Sequence, residues 1–131
     1  LKNRDHLFES ELNSYTIYNK NEDLIEFGKC YTDGSILKKT IYERVTNGNI
    51  QKTIEKKASG ETLSYWTYKY DSNDNLIEIK TYDAENNLTD IQSNTYDKNE
   101  NNTEIVFKKP NSNIGKKYVY KYNADNKKLK N

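Results

Sequence analysis

From residue 76 the chain reads Leu-Ile-Glu-Ile-Lys-Thr-Tyr, with Ile77, Ile79 and Thr81 on one set of alternate positions and Leu76, Glu78, Lys80 and Tyr82 on the other. Residues i and i+2 share a face of an extended chain, so this is a strand with one dry, β-branched face and one face polar at its centre. The same alternation recurs between clusters of Asn, Asp, Ser and Gly and predicts nine strands: 13–18, 24–31, 36–45, 50–57, 62–70, 76–82, 88–96, 102–108 and 117–122.

The strands are set out by a repeated phrase. Alignment on the tyrosine superimposes YNKNEDLIEF (18–27), YDSNDNLIEI (70–79), YDAENNLTDI (82–91), YDKNENNTEI (96–105) and YNADNKKLKN (122–131). Three shorter cousins, YTDGSIL (31–37), VTNGNIQ (45–51) and KASGETL (57–63), carry Asp-Gly, Asn-Gly and Ser-Gly pairs. Such pairs predict type I′ hairpin turns, which need positive φ at both central residues. The longer Asn- and Asp-rich runs predict looser turns that bond their own backbone. Setting each closing Tyr opposite the next opening Leu fixes a register: Ile79 meets Ile91, Ile91 meets Phe107, Thr95 meets Thr103, Lys80 meets Asp90 and Trp66 meets Lys80. Thr67, Ile79, Ile91 and Phe107 then form one dry row.

These elements give an all-β, antiparallel meander in an open or partly curled sheet, with a closed up-and-down barrel as the alternative. Length bounds it to one domain over 1–131. Residues 1–12 are read as a covering segment, with Leu7, Phe8 and Leu12 as the apolar side of a helical turn, and 13–131 as the repeats. The connection 109–116 holds the only proline and is expected to be the longest. The chain starts at Leu1 and has no methionine, which reads as a processed product or an excised fragment with any signal or anchor upstream.

Composition qualifies this picture without redirecting it. Only 33% of residues are hydrophobic, yet 12% are aromatic and twelve are tyrosine, so a thin fold with a narrow apolar seam is expected rather than disorder. The sum of 21 basic and 20 acidic residues argues against nucleic-acid partners. No stretch approaches a membrane helix. Cys30 has no disulfide or metal partner, and His6 has no nucleophile held against it, so no catalytic residue, metal site or cofactor is predicted. The runs from Asp71 and Asp97 open like a calcium loop. Both lack its glycine, however, and place Tyr82 and Lys108 where the bidentate glutamate belongs.

The candidate binding residues are aromatic. Trp66, Tyr68 and Tyr70 share one strand face, and Tyr118, Tyr120 and Tyr122 form a matching stripe. Either they stack on a partner protein or a sugar, or they form the second apolar layer of a thin sheet.

The phrase Tyr70-Asp71 with Asn75-Leu76, Tyr82-Asp83 with Asn87-Leu88, and Tyr96-Asp97 resembles the YD repeats of bacterial Rhs proteins and teneurins. The Tyr31-Thr-Asp-Gly-Ser-Ile and Val45-Thr-Asn-Gly-Asn-Ile units look like MORN-like repeats of bacterial exported and antitoxin-type proteins. The resemblance spans about residues 15–129, although Asn or Asp replaces the usual glycine before the leucine. It implies a non-catalytic, secreted or cell-surface scaffold that binds protein or glycan or spaces other domains. An immunity protein that covers a toxin is the alternative reading, and a small-ligand barrel the third. Self-association through a sheet edge or the dry face is a further expectation.

Overall fold

The computed structural model describes residues 12–113 and 115–130. Nine strands run in sequence order: β1 Leu12–Tyr18, β2 Leu24–Tyr31, β3 Ile36–Arg44, β4 Ile50–Lys57, β5 Thr62–Tyr70, β6 Leu76–Asp83, β7 Leu88–Tyr96, β8 Asn102–Lys108 and β9 Gly115–Val119. Their order in the sheet is the order of the chain, so the fold is an all-β antiparallel meander. The sheet is open, with β1 at one end of the order and β9 at the other, which sets aside the closed barrel. Of the expected helical cover at residues 4–12, residues 4–11 with Leu7 and Phe8 lie outside the described residues, as does His6, whereas Leu12 opens β1 and so is extended rather than helical. The chain divides into two compact units, Leu1–Tyr65 and Trp66–Asn131, each considered by itself below.

All eight fully formed turns are one structure. In each, residue i accepts from the N–H of i+3 and donates its own N–H to the carbonyl of i+4, as in Gly34→Tyr31 with Tyr31→Ser35, and Asp74→Asp71 with Asp71→Asn75. Only one residue per turn has positive φ: Gly34, Gly48 and Gly60 in three copies, and Glu22, Asp74, Asn86, Glu100 and Asn126 in the others. The turns are therefore type I followed by one left-handed residue, and the type I′ expectation is corrected. Tyr31, Val45 and Lys57 thus stand where the other copies carry Asn or Asp, so the short cousins are the same turn read one residue out of phase with the tyrosine alignment.

The two kinds of copy compensate locally. Where residue i is Asn or Asp, its Oδ1 accepts from the N–H groups of i+2 and i+4, as Asn19, Asp71, Asp83, Asp97 and Asn123 all do. Those copies hold a non-glycine residue in the left-handed region. Copies with no acceptor at position i have glycine there, where a positive φ meets no steric penalty. Glutamate has least reason to adopt this conformation. Glu22→Gly is therefore expected to raise stability by roughly 0.5–1 kcal/mol, and Asn86→Gly by much less, in urea unfolding.

The turns recur in strict time. They begin at 19, 45, 71, 97 and 123, and between these at 31, 57 and 83, so each series has a step of 26 residues, two strands long. In the second unit, turns 71–75, 97–101 and 123–127 stand side by side. Asn75 Nδ2 donates to Glu100 Oε1, and the side-chain amides of Asn99 and Asn101 both donate to Asn126 Oδ1. The connection between Lys108 and Gly115 is the longest among the described strands.

The residue just before a turn ties the sheet across strands. The Tyr96 hydroxyl donates to the Leu76 carbonyl at 2.8 Å, the Tyr122 hydroxyl to Asn102 at 2.7 Å, and Arg44 Nε to Leu24 at 3.0 Å, each reaching 20 residues back. These bonds give the terminal tyrosine of the repeat its purpose. It fastens the first carbonyl of the preceding strand.

Every turn with a described pairing between regular strands on both sides, except that before β9, is followed by a bulge. Tyr82 opposes Leu88 as expected, but Thr81 opposes Asp90, leaving Thr89 as the extra residue. The same shift makes Ile25, Leu37, Gln51 and Thr103 extra residues. The hydroxyls of Thr89 and Thr103 donate to the carbonyls of Thr81 and Thr95, both at 3.2 Å. One added residue reverses the face of everything beyond it. Ile79 meets Gln92, which meets Phe107, while Ile91 meets Lys80 and Lys108, and Thr95 meets Glu104. The predicted Ile79–Ile91, Ile91–Phe107, Thr95–Thr103 and Lys80–Asp90 pairs are thereby corrected.

No hydrophobic side chain among the described residues is buried, including Ile79 and Ile91. The buried positions are Gly28 and Thr53. Thr53 is 7% exposed, and its hydroxyl has no hydrogen-bond partner among the described residues. Gly28 is covered by the ring of its cross-strand partner Tyr15, which occupies the space of a Cβ. The Tyr15 hydroxyl donates to Glu26 Oε2 at 2.7 Å, and this bond first, then partial burial, pushes its pKa up to about 12.

Candidate functional site: an aromatic face with a lysine end

The bulge before β7 and that before β8 decide which side chains of the second unit share a face. Counting from them, Ile79, Thr81, Asp90, Gln92, Ile105, Phe107, Lys116 and Tyr118 lie on one face. Glu78, Lys80, Ile91, Val106, Lys108 and Lys117 lie on the other.

On the first face Trp66, Tyr68, Ile79, Thr81, Gln92 and Phe107 border a trough of about 400 Å³. Trp66 is half-buried and sits with Ile79 and Thr81, which corrects its expected position opposite Lys80. Phe107 is 41% exposed and meets Tyr118 edge to face, with ring centroids 6.0 Å apart. This edge-to-face geometry favours the pair while leaving ring surface open.

A second trough of about 450 Å³ shares Asp90 and Phe107 with the first and is completed by Lys108, Lys109, Gly115 and Lys116. Lys109 Nζ donates to Asp90 Oδ1 at 2.5 Å, and that ammonium holds the Asp90 carboxyl below its ordinary range. Both groups are largely exposed, so the pair adds little stability. Among the described residues Lys108 and Lys116 have no carboxylate partner.

The sequence-predicted residues are divided by the structure. Trp66 and Tyr68 line the trough, and Tyr118 adjoins it through Phe107. Tyr70 closes β5, half-buried. Only Tyr118 of the second stripe belongs to β9. Tyr120 lies beyond it with Lys128 Nζ 4.0 Å from its ring centroid, and Tyr122 is committed to Asn102. Phe107, Gln92, Asp90 and Lys116 were missed as site residues because the register without a bulge places Ile91, not Gln92, beside Phe107.

The charge is also segregated, contrary to the reading from its sum. Residues 66–107 carry three lysines against nine carboxylates, whereas 108–131 carry eight lysines against Asp125 alone. No cluster of three or more metal-ligating side chains occurs among the described residues. Among the described residues no helix is long and apolar enough to cross a membrane.

No protein-family model matches the chain, and no curated protein does. Solved structures do. The chain is similar to a crystal structure of TcdB2-TccC3-Cdc42, at 18% identity and a TM-score of 0.67 over 90% of this chain. It is equally similar to the Tc holotoxin pore of Photorhabdus luminescens with TccC3 carrying a D651A mutation, at 18% identity and 0.67 over 91%. A TcdB2-TccC3 structure without its hypervariable C-terminal region gives 17% and 0.66 over 90%. The chain spans 7% of each of those chains. The likeness is one of fold: a sheet of this kind occurs within each of those chains.

Proposed function

We propose that this chain is a non-enzymatic, secreted or cell-surface repeat module that binds a protein partner through the aromatic face of its second unit. The observation that carries the reading is the open trough along Trp66, Tyr68 and Phe107 in a protein whose described residues bury no hydrophobic side chain. A sheet face with this much apolar surface and no second layer among the described residues is stabilised by a covering protein, because removing apolar area from water contributes roughly 25 cal/mol per Å². The fold likeness to multi-protein toxin complexes supports a constituent of such an assembly over an antitoxin-type protein.

Trp66 is the only tryptophan, which makes the test direct. In the isolated chain its emission is expected at long wavelength and to be quenched readily by acrylamide. Blue-shifted, protected emission would show that the face is already covered, and the reading would fall.

A further inference from the structure

The eight turns share one backbone, but only that at 45–49 couples asparagine to glycine. Of nineteen asparagines in the chain, Asn47 alone precedes a glycine. Asn21, Asn73 and Asn99 hold the same third place in their turns, and the residues after them are Glu22, Asp74 and Glu100. A side chain there shields its own backbone nitrogen from attack, whereas Gly48 leaves its nitrogen open. Asn47 is exposed at the tip of its turn. From this geometry we infer that Asn47 is a site of spontaneous covalent modification, its side-chain amide being lost to the Gly48 nitrogen when the turn opens, and that Arg44 holds the turn closed. Neither residue belongs to the aromatic face, so this reactivity stands or falls apart from partner binding.

The step needs no reactant but water. The Gly48 nitrogen attacks Asn47 Cγ, and its proton passes through solvent to the departing Nδ2. One C–N bond forms, another breaks, and ammonia leaves. Water then opens the cyclic imide at one carbonyl or the other, giving aspartate, or isoaspartate with one more carbon in the backbone. The closed turn opposes ring formation. Its third residue has ψ of about 0°, which keeps the next nitrogen away from the Cβ side where the ring must close. The Gly48 N–H donates to the Val45 carbonyl at 2.9 Å, and Asn47 Oδ1 accepts from the Asn49 N–H at 3.0 Å, so both reacting groups are engaged. Val45 supplies no side-chain acceptor of the kind that Asp71 gives to Asn73 and Asn75. Arg44 takes that part instead: Nη1 donates to the Gly48 carbonyl at 2.8 Å and Nε to that of Leu24 at 3.0 Å. Reaction therefore waits on local opening, whose free energy sets the rate. The two products differ in their effect. Aspartate is already accommodated at this place in the turn 31–35, where Asp33 Oδ1 accepts from the Ser35 N–H. Isoaspartate lengthens the turn between its two hydrogen bonds and breaks its match to the strands.

The test follows the full chain at neutral pH and body temperature by peptide mapping in a mass spectrometer. A methyltransferase specific for isoaspartate reports the longer product. A synthetic peptide of residues 45–52 serves as the open-chain reference. Asn47 is expected to convert before any other asparagine, and at least about tenfold more slowly in the chain than in the peptide. Arg44→Ala should raise the rate in the chain about tenfold, the loss of a charged hydrogen bond that closes the turn, without changing the far-ultraviolet circular dichroism. Val45→Asp, which supplies the acceptor used at Asp71, should slow conversion by a similar factor. Should Arg44→Ala lose its fold, Val45→Asp carries the same test in the opposite direction. Earlier conversion of another asparagine, equal rates in chain and peptide, or an unchanged rate in Val45→Asp would overturn the inference. An unchanged rate in a folded Arg44→Ala would remove Arg44 from it.

Discussion

Replacing Gly28 with alanine is expected to lower stability by about 2–3 kcal/mol, the range for a forced overlap in a packed site. Gly28 has no special φ to preserve. Its constraint is its partner, since the Tyr15 ring lies where a Cβ would stand. The ring must therefore leave, and in leaving it gives up both the covered glycine and the hydroxyl bond to Glu26. A double-mutant cycle separates this from ordinary strand propensity. In a Tyr15→Ala background, Gly28→Ala should cost little or become favourable, because alanine is a better strand residue once the space is free. Urea midpoints of the four proteins measure the coupling. Equal losses from Gly28→Ala in both backgrounds would show that the ring does not guard the site.

Acid should unfold the protein through its turns, and three substitutions should delay it. The carboxyls of Asp71, Asp83 and Asp97 are held below the ordinary aspartate value of 3.8, chiefly by the backbone N–H of residue i+4, then by the i+2 N–H and the Asn side chain. A carboxyl depressed on folding contributes stability that is present above the unfolded value and lost as pH falls through the folded one. Loss of stability should therefore set in below about pH 4. Asn19 and Asn123 already make the same two backbone bonds with an amide oxygen that does not titrate. The triple variant Asp71→Asn, Asp83→Asn, Asp97→Asn should accordingly keep its turns and shift its acid midpoint, followed by circular dichroism, to lower pH. An unmoved midpoint would mean that the turns do not limit acid stability. Asp33 and Asp90, whose carboxyls are also lowered, remain in the variant and account for any residual dependence.

The sequence showed the strands more clearly than their registers, and the reason is specific. Each strand lies between turn-formers and alternates with period two, so its limits fall close to those observed. Thr89 and Thr103 look like ordinary strand residues, however, and nothing in their identity marks them as extra. One uncounted residue at each bulge sent Ile91 to the wrong face and hid Gln92 and Phe107 as neighbours. The turn type was misread for a related reason. Asp33-Gly34 fits a type I′ turn in isolation, while the matching geometry of Asp71-Ser-Asn-Asp74 becomes visible only from the hydrogen bonds. The segregation of charge was legible throughout. It disappears when the lysines of residues 108–131 are added to the carboxylates of residues 66–107.

The 26-residue step has a consequence for how such a chain changes over time. Each hairpin pair meets its neighbours through the same turn, the same bulge and the same terminal tether, so its stability depends mainly on adjacent strands. Duplication or loss of one such stretch in the gene keeps every remaining strand in phase and every turn at its own end of the sheet. A gain or loss of 12 or 14 residues does not, because it inserts a single strand and exchanges the two ends for everything downstream. Recombination in register by two strands is thus tolerated where recombination by one is not, and the number of hairpins becomes a heritable variable separate from the residues of the aromatic face.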